Sequence, residues 1–377
     1  PPGPPPGASV RALGIENEMA RANHPIKWGT MVYGAGGKNG FYVPVMGRRD
    51  DGTLFEQTTW QVRRSDFDEM LLNVAKERDI PILKGSAKSV DTEDGRITAV
   101  RVEADSEGEI DVHCQAFVDA SGQSTFLSKL GLVGQRDTGN YNRQIAVYGH
   151  FSGAIRPDED EEDEVRRDDT IIFYREKYHW AWFIPLDDEI VSIGVVTPID
   201  YFKSKNKTKE QHLLDEIKEI NPMLASRVKD VTLHDIARST SNYSYHIKDF
   251  VGPNYLCVGD AHRFIDPIFS LGLHFSMAEG RKAGAAIADA IMDIRSGISS
   301  VPSPLLTYQS ECENGQEIIQ TMLDAFWDFP LAFSLYLKDK RYRDNFIDMF
   351  AGRVYDTAPS KGLLELRRLN AQVAQTA

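Results

Sequence analysis

A strand, a turn, a long loop and a helix follow one another over residues 257–277, and this order limits the possible fold more than any other stretch. Residues 254–258 form a short apolar run that predicts a buried strand. Gly259 and Asp260 end this run, and Gly272 lies near the start of a helical pattern that continues through Ala290. A glycine there lets backbone approach a ligand closely, and a helix start offers N–H groups to an anion. The stretch therefore predicts a site for a cofactor or an anion.

The composition indicates a folded chain with an acidic surface. Hydrophobic residues make up 41% of the 377 residues, which argues against a disordered protein and provides for a large core. The formal net charge of −13 argues against nucleic acid as a partner and against a cationic membrane-surface protein. No run of 18 or more apolar residues exists, so no membrane span is predicted. The cysteines lack metal-ligand spacing and predict reduced thiols in a cytoplasmic protein without a metal site; they are Cys114, Cys257 and Cys312.

Strand and helix patterns alternate along the chain and predict a mixed α/β (α+β) fold. The strands are expected at residues 27–33, 41–45, 80–83, 88–102, 109–118, 144–151, 170–174, 180–185 and 190–196. Residues 88–118 are expected to form a strand meander, with a hairpin turn at Glu93-Asp-Gly95. The helices are expected at residues 8–22 (with an interruption at Leu13-Gly14), 66–78, 209–219, 221–228, 306–326, 330–350 and 363–369. Ser65 is expected to cap the second of these helices. Residues 34–40 contain a Gly-Ala-Gly-Gly run, which predicts a hairpin turn because it joins two strands and opens no helix.

Three further stretches are defined by their composition. Residues 1–7 consist only of Pro and Gly and are expected to contribute nothing to packing. The acidic run at residues 158–164 predicts a solvated loop, with an acidic docking patch as the alternative. The dense aromatics near the C-terminus predict a helical lobe with a hydrophobic groove, and an ordinary helical core is the alternative for most of them; they are Phe326, Trp327, Phe329, Phe333 and Tyr336.

Several motifs, taken together and in order, resemble those of the flavin-dependent halogenases in the aromatic-hydroxylase flavoprotein superfamily. Residues 60–68, Trp-Gln-Val-Arg-Arg-Ser-Asp-Phe-Asp, resemble a segment of two-component flavoproteins. Residues 180–185, Trp-Ala-Trp-Phe-Ile-Pro, are similar to the halogenase motif W-x-W-x-I-P. Residues 264–272 resemble the halogenase loop F-x-x-P-x-x-S-x-G, and residues 119–122, Asp-Ala-Ser-Gly, add a superfamily element. Phe269 stands where tryptophan halogenases carry glutamate, so the resemblance is to halogenases of phenols and pyrroles.

The resemblance implies an FAD-binding aromatic-hydroxylase-like fold with an antiparallel substrate sheet and a helical C-terminal lobe. The implied segments are a partial FAD-binding region with inserted strands (1–142), a substrate-side β-sheet region (143–250), an FAD and halide loop with its helix (251–297) and the helical lobe (298–377). Family members begin with a strand, a G-x-G-x-x-G turn and a helix. We expect the fold to lack this first βαβ unit, and the sequence to be a fragment, an incomplete gene model or a domain that awaits a partner segment.

The implied activity is FADH2-dependent halogenation of an electron-rich phenolic or pyrrolic ring, either free or tethered to a carrier protein. In this chemistry a flavin hydroperoxide oxidises chloride or bromide, and the resulting hypohalous acid reaches a lysine near the substrate. A flavin reductase would supply the FADH2.

The resemblance also implies the site residues. Lys27 is the implied catalytic residue, because residues 27–34 are similar to the family's K-x-G-x-x-x-x-G strand. A lysine in a dry pocket can have a depressed pKa, whereas an exposed strand-edge lysine is the alternative from spacing alone. The implied FAD-binding residues are Arg64, Asp119, Gly122, Gly259, Asp260, Pro267 and Gly272. The implied halide-binding residues are Ser270, Leu271 and Gly272. The implied wall that keeps the flavin compartment from acting as a simple monooxygenase consists of Trp180, Trp182, Pro185 and Phe264.

Two other functions stay open at the level of the sequence. The first is a related flavoprotein monooxygenase or reductase that has the loop without halogenation. The second is a non-catalytic fragment that binds an aromatic or acyl ligand. The halogenase loop argues against the first alternative, and the missing βαβ unit favours the second.

Overall fold

The computed structural model describes residues 6–139, 141–157, 164–355 and 358–374. The strands are β1 (Ile26–Lys27), β2 (Gly29–Tyr33), β3 (Phe41–Pro44), β4 (Met46–Arg48), β5 (Leu54–Glu56), β6 (Thr59–Trp60), β7 (Gly85–Glu93), β8 (Arg96–Ala104), β9 (Gly108–His113), β10 (Phe117–Asp119), β11 (Gln144–Ser152), β12 (Thr170–Glu176), β13 (His179–Pro185), β14 (Val191–Pro198), β15 (Thr232–Leu233), β16 (Arg238–Ser241), β17 (Tyr245–His246), β18 (Tyr255–Cys257) and β19 (Arg263–Phe264). The helices are α1 (Pro6–Leu13), α2 (Glu16–Arg21), α3 (Arg64–Glu77), α4 (Phe126–Lys129), α5 (Ile199–Ser204), α6 (Lys209–Glu219), α7 (Pro222–Arg227), α8 (Gly272–Ser296), α9 (Ser303–Asp328), α10 (Pro330–Lys338), α11 (Arg343–Phe350) and α12 (Lys361–Ala374).

The chain divides into two compact units. Unit 1 comprises Pro1–Met70, Asn142–Tyr243 and Ile318–Ala377, and unit 2 comprises Leu71–Tyr141 and Ser244–Glu317. Each unit is therefore assembled from segments that are distant in sequence. The four segments expected from the resemblance stay a prediction.

Unit 1 is built on a mixed sheet. Eight of the described strands form it, in the order β15-β11-β14-β13-β12-β2-β3, with β16 also paired to β11. The neighbours are antiparallel except β12 and β2, which run parallel. Helix α6 buries Leu213 and Ile217 in the same apolar core as Val147, Phe173 and Phe183 of the sheet. The predicted substrate sheet is thus present, with one parallel pair because β2 comes from a remote part of the chain.

Unit 2 contains three smaller sheets. Strands β7, β8 and β9 form an antiparallel meander, and Asp94 and Gly95 both have positive φ in its first turn, as the predicted Asp-Gly hairpin requires. Strands β10 and β18 pair in parallel, and β17 pairs with β19. The long helix α8 begins at Gly272 and continues past the predicted end at Ala290 to Ser296.

The hairpin predicted at residues 34–40 is confirmed. Strands β2 and β3 are antiparallel neighbours, and the short 3-10 turn Ala35–Gly37 connects them. The C-terminal helical region is also confirmed, and most of its aromatics form an ordinary core, since Phe326, Trp327 and Phe333 are buried. Within the described residues, no helix combines the length and the apolar character needed to cross a membrane.

Three local predictions are wrong. Residues 80–83 form no strand: no described strand pairs with them, and without a ladder this short apolar run stays irregular, with Ile80 exposed. Ser65 is not a cap, because α3 already begins at Arg64. Residues 330–350 form two helices, because the backbone turns extended at Asp339. Helix α5 is missing from the predictions.

Two of the compositional stretches lie mostly outside the described residues. The acidic run is described only at Glu164, and the N-terminal run only from Pro6.

Candidate functional site

Lys27 ends the short strand β1, just before the sheet strand β2 begins at Gly29. Strand β1 is held by antiparallel pairing with β6, in which Lys27 lies opposite Thr59. Gly29 is required by packing, because a Cβ atom there would lie 2.2 Å from the ring of Tyr42. Strand pairing and the contact with Tyr42 therefore constrain the backbone on both sides of Lys27.

Asp169, which lies just before β12, holds this backbone. Its side chain is fully buried. One carboxylate oxygen accepts hydrogen bonds from the backbone N–H groups of Trp28 (2.8 Å) and Gly29 (2.6 Å). The other accepts from the hydroxyl of Tyr42 (2.8 Å) and from the N–H of Arg166 (2.9 Å). A buried carboxylate with four donors is satisfied, and it fixes the two residues that follow Lys27.

The ammonium group of Lys27 is easier to deprotonate than an ordinary lysine. Burial lowers its pKa from 10.5 to about 8, although the nearby carboxylate of Asp169 acts in the opposite direction. Desolvation disfavours the charged form, so near neutral pH part of the population carries a free amine. This is the property that a nucleophilic lysine needs.

A polar cleft of about 730 Å³ lies beside this segment in unit 1. Ile26 and Trp28, the neighbours of Lys27, line it, whereas Lys27 does not. The guanidinium of Arg166 lies 4.1 Å from the ring centroid of Trp28. The other lining residues are Asn23, His24, Pro25, Glu164, Val165, Arg167, Asp168, Asp187 and Asp188.

Trp180 and Trp182 lie two residues apart on β13 and therefore share one face of the sheet. Their ring centroids are 5.9 Å apart, and Trp182 also packs 5.7 Å from Tyr148. The indole of Trp182 covers Gly194 on the next strand, where a Cβ atom would lie 2.3 Å from its ring. Pro185 ends the strand and is buried. The predicted wall in unit 1 is thus a packed pair of indoles, while Phe264 belongs to unit 2.

In unit 2, the Gly259–Ala261 turn carries Gly259 and Asp260 at the end of β18. Gly259 has φ +55°, and a Cβ atom there would lie 2.6 Å from the hydroxyl of Ser276, so only glycine fits without strain. Its N–H donates to the carboxylate of Glu279 (2.6 Å). Glu279 also accepts from Gln316 (2.7 Å) and pairs with His262 (2.9 Å between Nε2 and Oε2).

All three side chains of the Glu279–His262–Gln316 cluster are buried. Burial acts to raise the pKa of Glu279, but the charge and hydrogen bond of His262, with the bonds from Gln316 and Gly259, lower it overall. The carboxylate therefore stays ionised in the interior. The cluster fixes the turn that presents Asp260.

Asp119 and Gly122 lie next to this turn. Asp119 ends β10, which pairs in parallel with β18, and the turns that follow the two strands are in contact. The buried carboxylate of Asp119 accepts from the N–H groups of Ser121 (2.9 Å) and Leu127 (2.8 Å). Gly122 has φ +59°. Asp119 thus orders the loop that carries Gly122, and its direct contact with a cofactor stays a prediction.

The predicted halide loop connects β19, which ends at Phe264, to α8. Pro267 opens a 3-10 turn that is capped by Asp266, whose carboxylate accepts from the N–H of Ile268 (2.9 Å). Ser270 has φ +54°, and Leu271 stands at the N-terminus of α8 without a side-chain cap. The first N–H groups of a helix have no acceptor within it, and the space around Gly272 is open. The loop therefore offers backbone donors to an anion.

Arg64 lies in unit 1, at the exposed start of α3. It forms an ion pair with Asp68 one turn later (2.9 Å). The adjacent Arg63 pairs instead with Asp187 (2.6 Å). The structure thus brings Asp119, Gly122, Gly259 and Asp260 together in unit 2, and it places Lys27, Arg64, Trp180 and Trp182 in unit 1.

Asp169 and Glu279, the carboxylates that hold the two backbone segments described above, are not among the residues predicted from the sequence. Glu279 could have been found, because it stands on the small, buried face of α8 among Ala278, Ala283, Ala286 and Ala290, where an acidic residue needs a partner. Asp169 has no such signal, since its partners Trp28 and Gly29 are about 140 residues away in sequence.

Comparisons with known proteins point in one direction. The family described as "Tryptophan halogenase" matches residues 48–328. A 1H-pyrrole-2-carbonyl-[peptidyl-carrier protein] brominase from Pseudoalteromonas luteoviolacea (strain 2ta16) is 34% identical over 356 residues, covering 93% of this chain and 81% of the relative. A corresponding chlorinase from Pseudomonas fluorescens is 24% identical over 384 residues, covering 96% and 82%. The structure of the flavin-dependent brominase Bmp2 superposes with a TM-score of 0.87 and 32% identity, covering 98% of this chain and 87% of that one.

Proposed function

The chain belongs to the tryptophan halogenase family and is a flavin-dependent halogenase that uses FAD and a halide, and from this premise we propose that Lys27 halogenates an electron-rich ring tethered to a carrier protein. A pyrrole is the first candidate for the ring, because the brominase and the chlorinase that resemble this chain are named for a carrier-bound pyrrole. A free phenol is the second candidate.

The observation that supports this role is the environment of Lys27. Its pKa is lowered to about 8 by burial, and Asp169 fixes the backbone of the next two residues. A free amine can attack the halogen of hypohalous acid, whose oxygen leaves as water once it takes up a proton. Fixing the backbone orients the amine toward one position of the ring, which is how positioning lowers a barrier.

The residues of unit 2 fit an anionic flavin cofactor and a halide. The open space at Gly272 and the uncapped start of α8 suit an anion, and the Gly259 turn brings Asp260 to the end of a strand. When bound, reduced FAD would supply, together with oxygen, the oxidant that converts halide to hypohalous acid. We assign Asp260, Gly122 and Pro267 to the cofactor, and Ser270, Leu271 and Gly272 to the halide. Arg64 would have to release Asp68 before it could contact FAD.

The other parts of the proposal follow from the same premise. A separate flavin reductase supplies FADH2, and the reaction takes place in the cytoplasm. We also propose that the packed indoles of Trp180 and Trp182 belong to the wall that keeps the flavin compartment from acting as a simple monooxygenase.

A product assay tests this function. The protein is incubated with FAD, a flavin reductase, NADH and chloride or bromide, and is offered a pyrrole-2-carbonyl carrier thioester, free pyrrole-2-carboxylate and a panel of phenols. Mass spectrometry is expected to show the halogen isotope pattern on the carrier-bound ring. Hydroxylated product without halogen would favour the monooxygenase alternative. A protein that retains no flavin in gel filtration and gives no product would favour the non-catalytic alternative.

A further inference from the structure

Helix α10 in unit 1 is apolar on two opposite faces. Phe333 and Leu337, one turn apart, are buried. Leu331 and Leu335, also one turn apart, are 70% and 68% exposed. Phe333 packs against Phe346 with ring centroids 5.1 Å apart, so the inner face anchors the helix firmly. The outer face is left uncovered within the described chain.

Basic residues follow this outer face at the C-terminal end of α10. Lys338 lies seven residues after Leu331 and therefore on the same side of the helix. Lys340 and Arg343 are exposed, and among the described residues no carboxylate pairs with either of them. Arg341, in contrast, is neutralised by Asp339 (2.6 Å). We call Leu331, Leu335, Lys338, Lys340 and Arg343 the α10 surface.

The charge of the α10 surface is opposite to that of the chain. Residues 338–344 hold four basic and two acidic side chains, whereas the whole chain has a net charge of −13. Single exposed leucines are ordinary, but Leu331 and Leu335 lie one turn apart and are followed in the chain by exposed basic side chains, which gives an apolar patch with cations at one end. Such a surface attracts an acidic partner and repels a basic one.

The α10 surface is connected to the hairpin that follows Lys27. Phe333 packs on Phe41 of β3, with ring centroids 6.1 Å apart, and the Lys338 ammonium lies 3.3 Å from the carbonyl of Gly40. Strand β3 pairs with β2, which begins two residues after Lys27. From Lys27 to the hairpin turn, the strand spans roughly 20 Å. A pantetheine arm on a carrier protein has a similar reach.

We propose that the α10 surface docks an acidic carrier protein that presents the aromatic substrate as a thioester. The proposal rests on the proposed function, since it assumes a carrier-bound ring. The leucines supply the apolar contact, and Lys338, Lys340 and Arg343 pair with acidic side chains of the carrier. A second copy of this chain is a poorer occupant, because a two-fold contact would set the basic rims against each other.

Charge reversal tests the electrostatic part. The double variant Lys340→Glu/Arg343→Glu is compared with Lys203→Glu/Lys218→Glu, which makes the same change in net charge at exposed positions of α5 and α6. The probe is a peptidyl carrier protein loaded with a pyrrole-2-carbonyl thioester. We expect KM for this probe to rise about 10-fold in the first variant, with kcat unchanged and the control within about 2-fold. Raising the ionic strength is expected to remove the difference. Equal KM values in the two variants would overturn the proposal.

Leu331→Ser/Leu335→Ser tests the apolar part. We expect the KM of this variant to rise about 10-fold for the loaded carrier and to stay unchanged for a free pyrrole or phenol.

A wild-type protein that halogenates only free rings would contradict the proposed function. Docking is then decided separately by fluorescence anisotropy of the labelled carrier: binding that the charge reversal weakens supports the α10 surface, and equal binding overturns it. A wild-type dimer that the leucine variant dissociates would also overturn it.

Discussion

Unit 1 and unit 2 both use a buried carboxylate to hold a short backbone segment, but with different consequences for charge. Asp169 accepts two backbone N–H groups directly after Lys27 and stands close enough to influence the pKa of that lysine. Glu279 accepts one backbone N–H directly before Asp260 and is paired with His262 and Gln316. Asp169 therefore acts on the pKa of Lys27, the lysine that we propose to react, and also fixes the backbone that follows it. Glu279 is hydrogen-bonded by its own buried partners, and it only holds the turn before Asp260 in place.

The largest effect is expected for the lysine itself. Lys27→Ala should lower the halogenation rate by about 10²- to 10⁴-fold, because it removes the group proposed to transfer the halogen. FADH2 oxidation and release of hypohalous acid should continue, since these do not need the amine. Product is quantified by mass spectrometry and hypohalous acid by a trapping dye. Lys38→Ala, at an exposed position in the following turn, is the control; a Lys27→Ala variant with the parent rate would remove Lys27 from the mechanism.

The next largest effect is expected in unit 2. Glu279→Ala leaves His262, Gln316 and the Gly259 N–H without their acceptor and should lower the free energy of unfolding by about 3–5 kcal/mol. FAD affinity should fall as well, because the turn at Asp260 loosens. Glu279→Gln keeps an acceptor and should recover part of both losses. Denaturant titration and flavin fluorescence measure them.

The same carboxylate predicts a pH dependence of stability. The pKa of Glu279 in the folded state lies below its ordinary 4.5, so the folded state binds the proton less readily than the unfolded state. Its contribution is fully present above about pH 4.5 and is lost as the pH falls through the lowered pKa. In Glu279→Gln this acid-dependent part should be absent. An unchanged acid midpoint in Glu279→Gln would show that other groups control it.

Asp169→Asn tests whether the carboxylate of unit 1 tunes Lys27. Because Asp169 raises the pKa of Lys27 against the effect of burial, its neutralisation should lower that pKa below about 8. If the free amine reacts, kcat/KM in the parent rises as the pH increases through about 8, and this rise should move to lower pH in the variant. Loss of acceptors should also destabilise the protein by about 1–3 kcal/mol.

Asp188→Asn, an exposed carboxylate beside the cleft, is the control for Asp169→Asn. A pH profile that is the same in both variants would mean that Asp169 has a positioning role only, as Glu279 does, and the difference between the two units would disappear.

The smallest effect is expected for Gly259→Ala. The left-handed backbone at Gly259 and the contact with Ser276 should cost about 1–2 kcal/mol, and FAD affinity should fall with it. Gly280→Ala on α8, where a Cβ atom meets nothing within 4 Å, should stabilise the helix by up to about 1 kcal/mol. Thermal unfolding compares the two. Equal stability would show that the turn tolerates a side chain.

Much of the local structure follows from the sequence because its causes are local. The Asp-Gly turn at residues 94–95, the hairpin at residues 34–40 and helix α6 were predictable from turn chemistry and apolar spacing. The strand expected at residues 80–83 failed because a strand needs a partner, and pairing is not a local property. The single helix expected at residues 330–350 was wrong because its break lies at Asp339, where no glycine or proline in the sequence indicates a helix end.

The sequence by itself determined which residues are candidates for the chemistry: Lys27, the two tryptophans of β13, and the loop from Gly259 to Gly272. Tertiary structure alone decided what surrounds them. Asp169 reaches Trp28 and Gly29 from about 140 residues away, and Gln316 reaches Glu279 from 37 residues away. Burial and charge around an ionisable group depend on such distant contacts. The pKa of Lys27, and the outward face of Leu331 and Leu335, therefore became visible only in the folded chain.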